Sequence, residues 1–200
     1  MATERTRRDK HPILLDLDGH RVVVLGAGAV AERKIEALLE TGAEITVVAP
    51  EQTPRIRQWA ADGQLRLERR RYESGDLRGA RLAYAAMGDV AANRLARQEA
   101  DEAGIWLNVA DVPDLCDFFA PGVVRRGALT VAISTDGASP ALAARLRERF
   151  EREIGPEYAE VLEQLRELRA RSRAEGRPLA DVREEIEQVI DRVLPRSVSE

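Results

Sequence analysis

The spacing of apolar residues along this chain alternates between two periods. Short apolar runs at residues 13–17, 21–25, 45–48, 65–69, 81–86 and 105–109 have the length and composition of β-strands. Between most of them the apolar positions recur every three to four residues, which is the period of an amphipathic helix. Residues 32–41 form one such stretch and stop at Gly42; residues 90–103 form another and stop at Gly104, both glycines standing where a helix ends in a left-handed residue. Repetition of helix, glycine and strand predicts right-handed crossovers and a doubly wound parallel sheet. Asp18-Gly19 is a turn signal, and it predicts a hairpin between the first two runs.

The pattern changes after Phe118. Residues 122–133 read as two strands around Arg125-Arg126-Gly127, a small antiparallel unit outside the main sheet. The polar loop 134–140 then leads into a helix with Ser139 as N-cap and Pro140 in its first turn, running through Phe150. Gly155-Pro156 interrupts it. Two helical stripes follow, Tyr158, Val161, Leu162, Leu165 and Leu168, then Val182, Ile186, Val189, Ile190 and Val193, parted by Gly176-Arg177-Pro178. Each stripe needs a partner, from the rest of the chain or from a second subunit. The expected organisation is therefore residues 1–118 as an α/β domain, 119–150 as the antiparallel segment and 151–200 as a helical region.

Residues 22–31 carry the most specific local signal. The run Val22-Val23-Val24-Leu25 reads as a buried parallel strand, Gly26 turns the chain off its end, and Gly28 leaves room for backbone to approach a phosphate. Ala31 takes the third small position, where helix and strand pack closely, and the helix that follows points unpaired N–H groups at an anion. This is the outline of a dinucleotide pyrophosphate site on a Rossmann-like fold.

Composition narrows the alternatives. The chain has 200 residues, enough for one α/β domain and a smaller appendage. A net charge of −4 provides no global field for nucleic acid, so no nucleic-acid partner is expected. Cys116 is the only cysteine, which excludes a disulfide framework and a cysteine-based zinc cluster and fits a reducing cytoplasm. Residues 1–10 are polar and lack a hydrophobic signal core, and no window has the apolar length of a membrane span; no membrane partner and no export by that route are expected.

Several separated motifs, in order, resemble a known family. They are His11-Pro-Ile-Leu-Leu, the segment from Val24-Leu-Gly-Ala-Gly through Lys34, Thr46-Val-Val-Ala-Pro50, Asn108-Val-Ala-Asp111, Leu115-Cys-Asp-Phe118 and Ser139-Pro140. Residues 11–150 are similar to the precorrin-2 dehydrogenases of sirohaem synthesis. The resemblance implies NAD-dependent oxidation of the tetrapyrrole precorrin-2 to sirohydrochlorin, in a homodimer whose interface uses residues 118–150. In some relatives the same module also inserts ferrous iron, and in others a methyltransferase domain follows; a chain ending at Glu200 is not expected to methylate uroporphyrinogen.

The resemblance places NAD contacts at Ala29 and Val30 beside Gly26 and Gly28, and at Pro50 and Glu51 after the strand 45–48. Glu51 is the first carboxylate past that strand, where dinucleotide sites bind ribose hydroxyls; from sequence alone it reads equally as a solvated charge opening the next helix. Its charge favours NAD over NADP, whereas Arg55 and Arg57 nearby leave NADP open. Met87, in the loop after the strand 81–86, borders the cofactor, although the family often has Thr there.

Asp111 is the expected proton acceptor. It follows the strand 105–109 at the carboxyl edge of the sheet, where open α/β folds hold their ligands. On spacing alone it shapes a turn ahead of Val112-Pro113, and the surrounding motif is what marks it as catalytic. Asn108 orients substrate or Asp111, or caps structure. Asp114 and Asp117 read as solvent-facing acids.

Precorrin-2 is a polycarboxylate and needs cations or N–H groups around it. The candidates are Arg125, Arg126 and Arg145, with Ser134, Thr135 and Ser139 in the loop ahead of a helix N-terminus. Arg125 and Arg126 read equally as exposed hairpin-turn residues. No metal site is readable, since His11 and His20 are the only histidines and lack ligand spacing, so dehydrogenation alone is expected ahead of the alternative, dehydrogenation with ferrous iron insertion. Cys116 reads as a small buried residue. A protein that binds NAD to sense it, without catalysis, is the alternative from a different class.

Overall fold

The structure is a computed structural model and describes residues 10–194. The reading of residues 1–10 as a polar segment without a signal core lies, for residues 1–9, outside the described residues. Contacts divide the chain into two compact units, residues 1–119 and 120–200.

In the first unit, β1 (Arg21–Leu25), β2 (Glu44–Val48), β3 (Arg66–Glu68), β4 (Leu82–Ala85) and β5 (Trp106–Val109) form one parallel sheet in the order β3-β2-β1-β4-β5. β1 is central, with Val22 in register with Ile45 on one side and Leu82 on the other. Val22, Val23, Val24 and Leu25 are fully buried, the reason the sequence shows an unbroken apolar run there. α1 (Ala29–Leu39) and α2 (Pro54–Ala61) cover one face through Ile35, Leu38 and Ile56, and α3 (Val90–Ala103) covers the other through Ala96 and Ala100. α3 ends as its sequence predicts, with Gly104 at φ +66°. The chain builds outward from β1 to β2 and β3, then returns to β4 and β5, so the strand order reverses between β1 and β4. Ligands of such sheets bind at that reversal, beyond the carboxyl ends of the strands.

One expected strand is absent. Residues 13–17 make no ladder, and Ile13 and Leu14 are exposed. The predicted hairpin cannot form because β2 and β4 already occupy both edges of β1. Asp18-Gly19 does turn, with His20 N–H donating to Leu17 O, but it docks on the α1–β2 connection through Gly19 N–H to Gly42 O.

In the second unit, β6 (Gly122–Arg126) and β7 (Leu129–Ile133) pair antiparallel, with Gly127 turning between them at φ +56°. α4 (Pro140–Glu153) packs on this hairpin, α5 (Glu157–Ala174) packs on β7, and α6 (Arg183–Ile190) packs on α5. The two stripes read in the sequence thus find partners within the unit. Among the described residues no helix is long and apolar enough to cross a membrane.

Candidate active site

The turn after β1 is fixed by Gly26. Its φ is +99°, and a Cβ there would fall 2.8 Å from the carbonyl carbon of Ala86, so only glycine lets β1 end against the loop after β4. The same position adjoins the backbone of Met87. Gly28, at φ −84°, is the N-cap of α1 and has nothing within 4 Å of where a Cβ would stand. Thr53, Asp89 and Ser139 cap α2, α3 and α4 with their side chains, but α1 has no side-chain cap. Its first turn, with Ala29 and Val30, therefore presents backbone N–H groups beside open space. That combination fits a pyrophosphate.

Two further loops reach this turn. Thr53 N–H donates to Ala27 O and Gly26 N–H to Val48 O, which tie the β2–α2 connection carrying Pro50 and Glu51 to the glycine turn. Both Pro50 and Glu51 are exposed. Arg55 is committed elsewhere: it pairs with Glu36, lies 3.8 Å from Glu32 and sits over the Trp59 ring at 4.8 Å. On the other side, Asn93 is 6% exposed and donates from Nδ2 to Met87 O at 3.1 Å, while its buried Oδ1 has no partner. The Asn93 amide thus ties α3 to the loop after β4. Asn93 carries no motif and was not visible as a site residue.

Asp111 stands two residues past β5, on the same carboxyl rim as Gly26, Glu51 and Met87. It is exposed and has φ +61°, in the left-handed region, at a cost on the order of 1 kcal/mol. The loop around it is pinned at many points. Ala110 N–H donates to Ala85 O, and Asp117 N–H to Leu107 O. The Cys116 thiol lies 3.2 Å from both Val109 N and Val109 O, accepting from the one and donating to the other. Burial pushes this thiol above its ordinary value, and the nearby Lys34 opposes the shift. Asp117 is an anchor rather than a solvated acid: Oδ2 accepts from Leu107 N at 2.9 Å and from Arg97 Nη1 at 2.7 Å.

Asn108 faces inward. It is 6% exposed, its Oδ1 accepts from Lys34 Nζ at 3.0 Å, and its Nδ2 donates to Phe118 O at 2.9 Å. With both ends engaged it ties β5 to Lys34 and to Phe118 O. Lys34, on α1, also lies over the Tyr84 ring at 4.7 Å. The sequence showed Lys34 only as part of a motif.

The other expected substrate residues lie in the second unit. Arg126 lies against the end of α4: Nε donates to Ile154 O at 2.8 Å and Nη2 to Glu151 O at 2.7 Å. Ser139 Oγ accepts from Leu142 N as the predicted cap, and Thr135 Oγ1 donates to Ser139 O and accepts from Ser139 N. Ser134 Oγ accepts from Asp136 N, within a loop where Asp136 and Gly137 both have positive φ. Arg125 and Arg145 are exposed. Among the described residues no group of three or more His, Cys, Asp or Glu could hold a metal ion.

Comparison with known proteins agrees with this geometry. A family model described as "Putative NAD(P)-binding" matches residues 13–122, and one described as "Sirohaem biosynthesis protein central" matches residues 126–153. The sirohaem synthase of Methylococcus capsulatus is 40% identical over 165 residues, covering 82% of this chain and 35% of that protein. That of Nitrosococcus oceani is 36% identical over 150 residues, covering 75% of this chain and 32% of its own. The chain thus spans about a third of the length of these relatives. A solved structure of SirC, a precorrin-2 dehydrogenase, superposes with a TM-score of 0.78 at 32% identity and covers 94% of both chains.

Proposed function

The chain belongs to the sirohaem-biosynthesis family that includes SirC, and on that premise we propose that it oxidises precorrin-2 to sirohydrochlorin with NAD. The observation that carries this reading is the rim of the main sheet, where an uncapped helix start behind Gly26 and Gly28 shares one edge with Asp111.

Bound NAD supplies a hydride acceptor. Gly28, Ala29 and Val30 would hold its pyrophosphate at the N-terminus of α1, with Gly26, whose own N–H is spent on Val48 O, providing the turn that brings them there. Pro50 and Glu51 border the ribose, where the carboxylate accepts from the hydroxyls and repels a 2′-phosphate; Arg55, tied to Glu36 and Trp59, does not offset that repulsion. Met87 and the Asn93 amide close the side next to β4. A C–H bond of the macrocycle breaks with its electron pair leaving as hydride, and the carboxylate of Asp111 takes the proton that the macrocycle loses. The products are sirohydrochlorin, NADH and a proton passed to solvent.

Arg125 and Arg145, with the loop of Ser134, Thr135 and Ser139, receive substrate carboxylates. Arg126 stays on α4. Residues 1–118 serve the cofactor, 119–150 the substrate and a dimer contact, and 151–200 complete the helical region. A homodimer is supported by α4, which has no buried residue and leaves Leu142 50% exposed. The cytoplasm, with its NAD pool and reducing conditions, suits the single thiol.

Anaerobic mixing of the protein with precorrin-2 and NAD tests the reading. NADH must appear together with sirohydrochlorin; NAD binding without either product would leave a sensor.

A further inference from the structure

We propose that Lys34 is a positioning residue for this oxidation, tying the cofactor helix α1 to the loop that carries Asp111. The inference rests on the reading above and deepens it.

Three contacts carry it. Lys34 Nζ reaches across β4, over the Tyr84 ring at 4.7 Å, to donate to Asn108 Oδ1 on β5 at 3.0 Å. Tyr84 and Asn108 are neighbours in register on the two strands. The buried Asn108 amide then donates to Phe118 O at 2.9 Å, and its Nδ2 lies 3.5 Å from Cys116 Sγ, which also binds the backbone of Val109. One ammonium therefore connects the helix whose first turn holds the pyrophosphate to both ends of the Asp111 loop.

A purely structural site has no need of this charge. Among the described residues Lys34 makes no ion pair with a carboxylate. Its partners are an amide and a ring, and burial pulls its pKa below the ordinary lysine value. Arg33 beside it on α1 pulls in the same direction, while Cys116 and Asp111 from the β5 loop favour the charged form. An apolar side chain of the same length would fill the space without the cost of burying a cation. What the cation adds is a charged tie from the cofactor helix to Asn108, and through its amide to Phe118 O, at the two ends of the loop that carries Asp111.

Lys34→Met keeps the length and removes the charge; Lys34→Arg keeps the charge. Purified Lys34→Met is expected to bind NAD within about twofold of wild type by fluorescence titration. Its kcat should fall by about 100-fold, the effect of misplacing a reacting group by about an ångström, with KM for precorrin-2 little changed. Lys34→Arg should recover part of kcat, again with KM for precorrin-2 little changed. Unchanged kcat in Lys34→Met would overturn the proposal, as would loss of kcat matched by equal loss of NAD binding or left unrecovered in Lys34→Arg. If Lys34→Met does not fold, the same measurements on Lys34→Gln decide. A wild-type protein without turnover removes the function beneath this inference; an active wild type with an unaltered variant removes the inference alone.

Discussion

The α-carbon of Gly26 packs against the carbonyl of Ala86 so closely that a Cβ would lie 2.8 Å from that carbonyl's carbon, while two residues on, Gly28 faces open space. The two glycines therefore serve different ends. Gly26→Ala is expected to destabilise the first unit by about 2–4 kcal/mol, from positive φ and overpacking together, read by urea unfolding. Gly28→Ala should unfold within about 1 kcal/mol of wild type yet weaken NAD binding at least tenfold in a calorimetric titration. Equal effects of both substitutions on stability would contradict the assignment.

Cofactor choice follows from Glu51. Arg55 is held by Glu36 and lies over Trp59, which draws its charge away from the ribose, while Arg57 on the same helix is exposed. Glu51→Ser should raise the affinity for NADP relative to NAD by about tenfold, on the order of 1.4 kcal/mol, measured as the ratio of the two dissociation constants.

Cys116 should resist alkylation in the native state. Burial raises its thiol pKa above the unfolded value, so the folded protein holds the proton after the unfolded chain has lost it. Its contribution to stability is complete below about pH 8.5 and is lost as pH rises through the folded-state value. Iodoacetamide labelling at neutral pH should be slow in buffer and fast in urea; labelling at the same rate in both would show an exposed thiol.

Arg126 and Arg145 divide structural from binding roles. Arg126→Ala removes the donors to Ile154 O and Glu151 O and should cost about 1–2 kcal/mol in thermal unfolding with little change in KM. Arg145→Ala, on an exposed site, should leave stability within about 0.5 kcal/mol and raise KM for precorrin-2. A reversed pattern would exchange their roles.

Much of the fold follows from local rules that act on neighbouring residues. The buried run before Gly26 gives β1, and Gly104 gives the end of α3, because each needs only its own backbone geometry. Residues 13–17 have a strand's composition but no free ladder, a fact about β2 and β4 rather than about themselves. The motif singled out Asp111, and its left-handed backbone is a feature that no sequence shows. Lys34, Asn93, Asp117 and Arg126 were misread or missed for one reason: a charged or amide side chain acquires its role from a distant backbone carbonyl, amide or ring. Periodicity does not record such partners.

Single-turnover NADH formation by Asp111→Asn is the most direct measurement. Asparagine accepts the left-handed backbone as readily as aspartate, so fold and NAD binding should be kept. With the variant, NAD and anaerobic precorrin-2 mixed together, the absorbance of NADH should rise at least 100-fold more slowly than in wild type. A wild-type rate in the variant would contradict the assignment of Asp111 as the group that takes the proton.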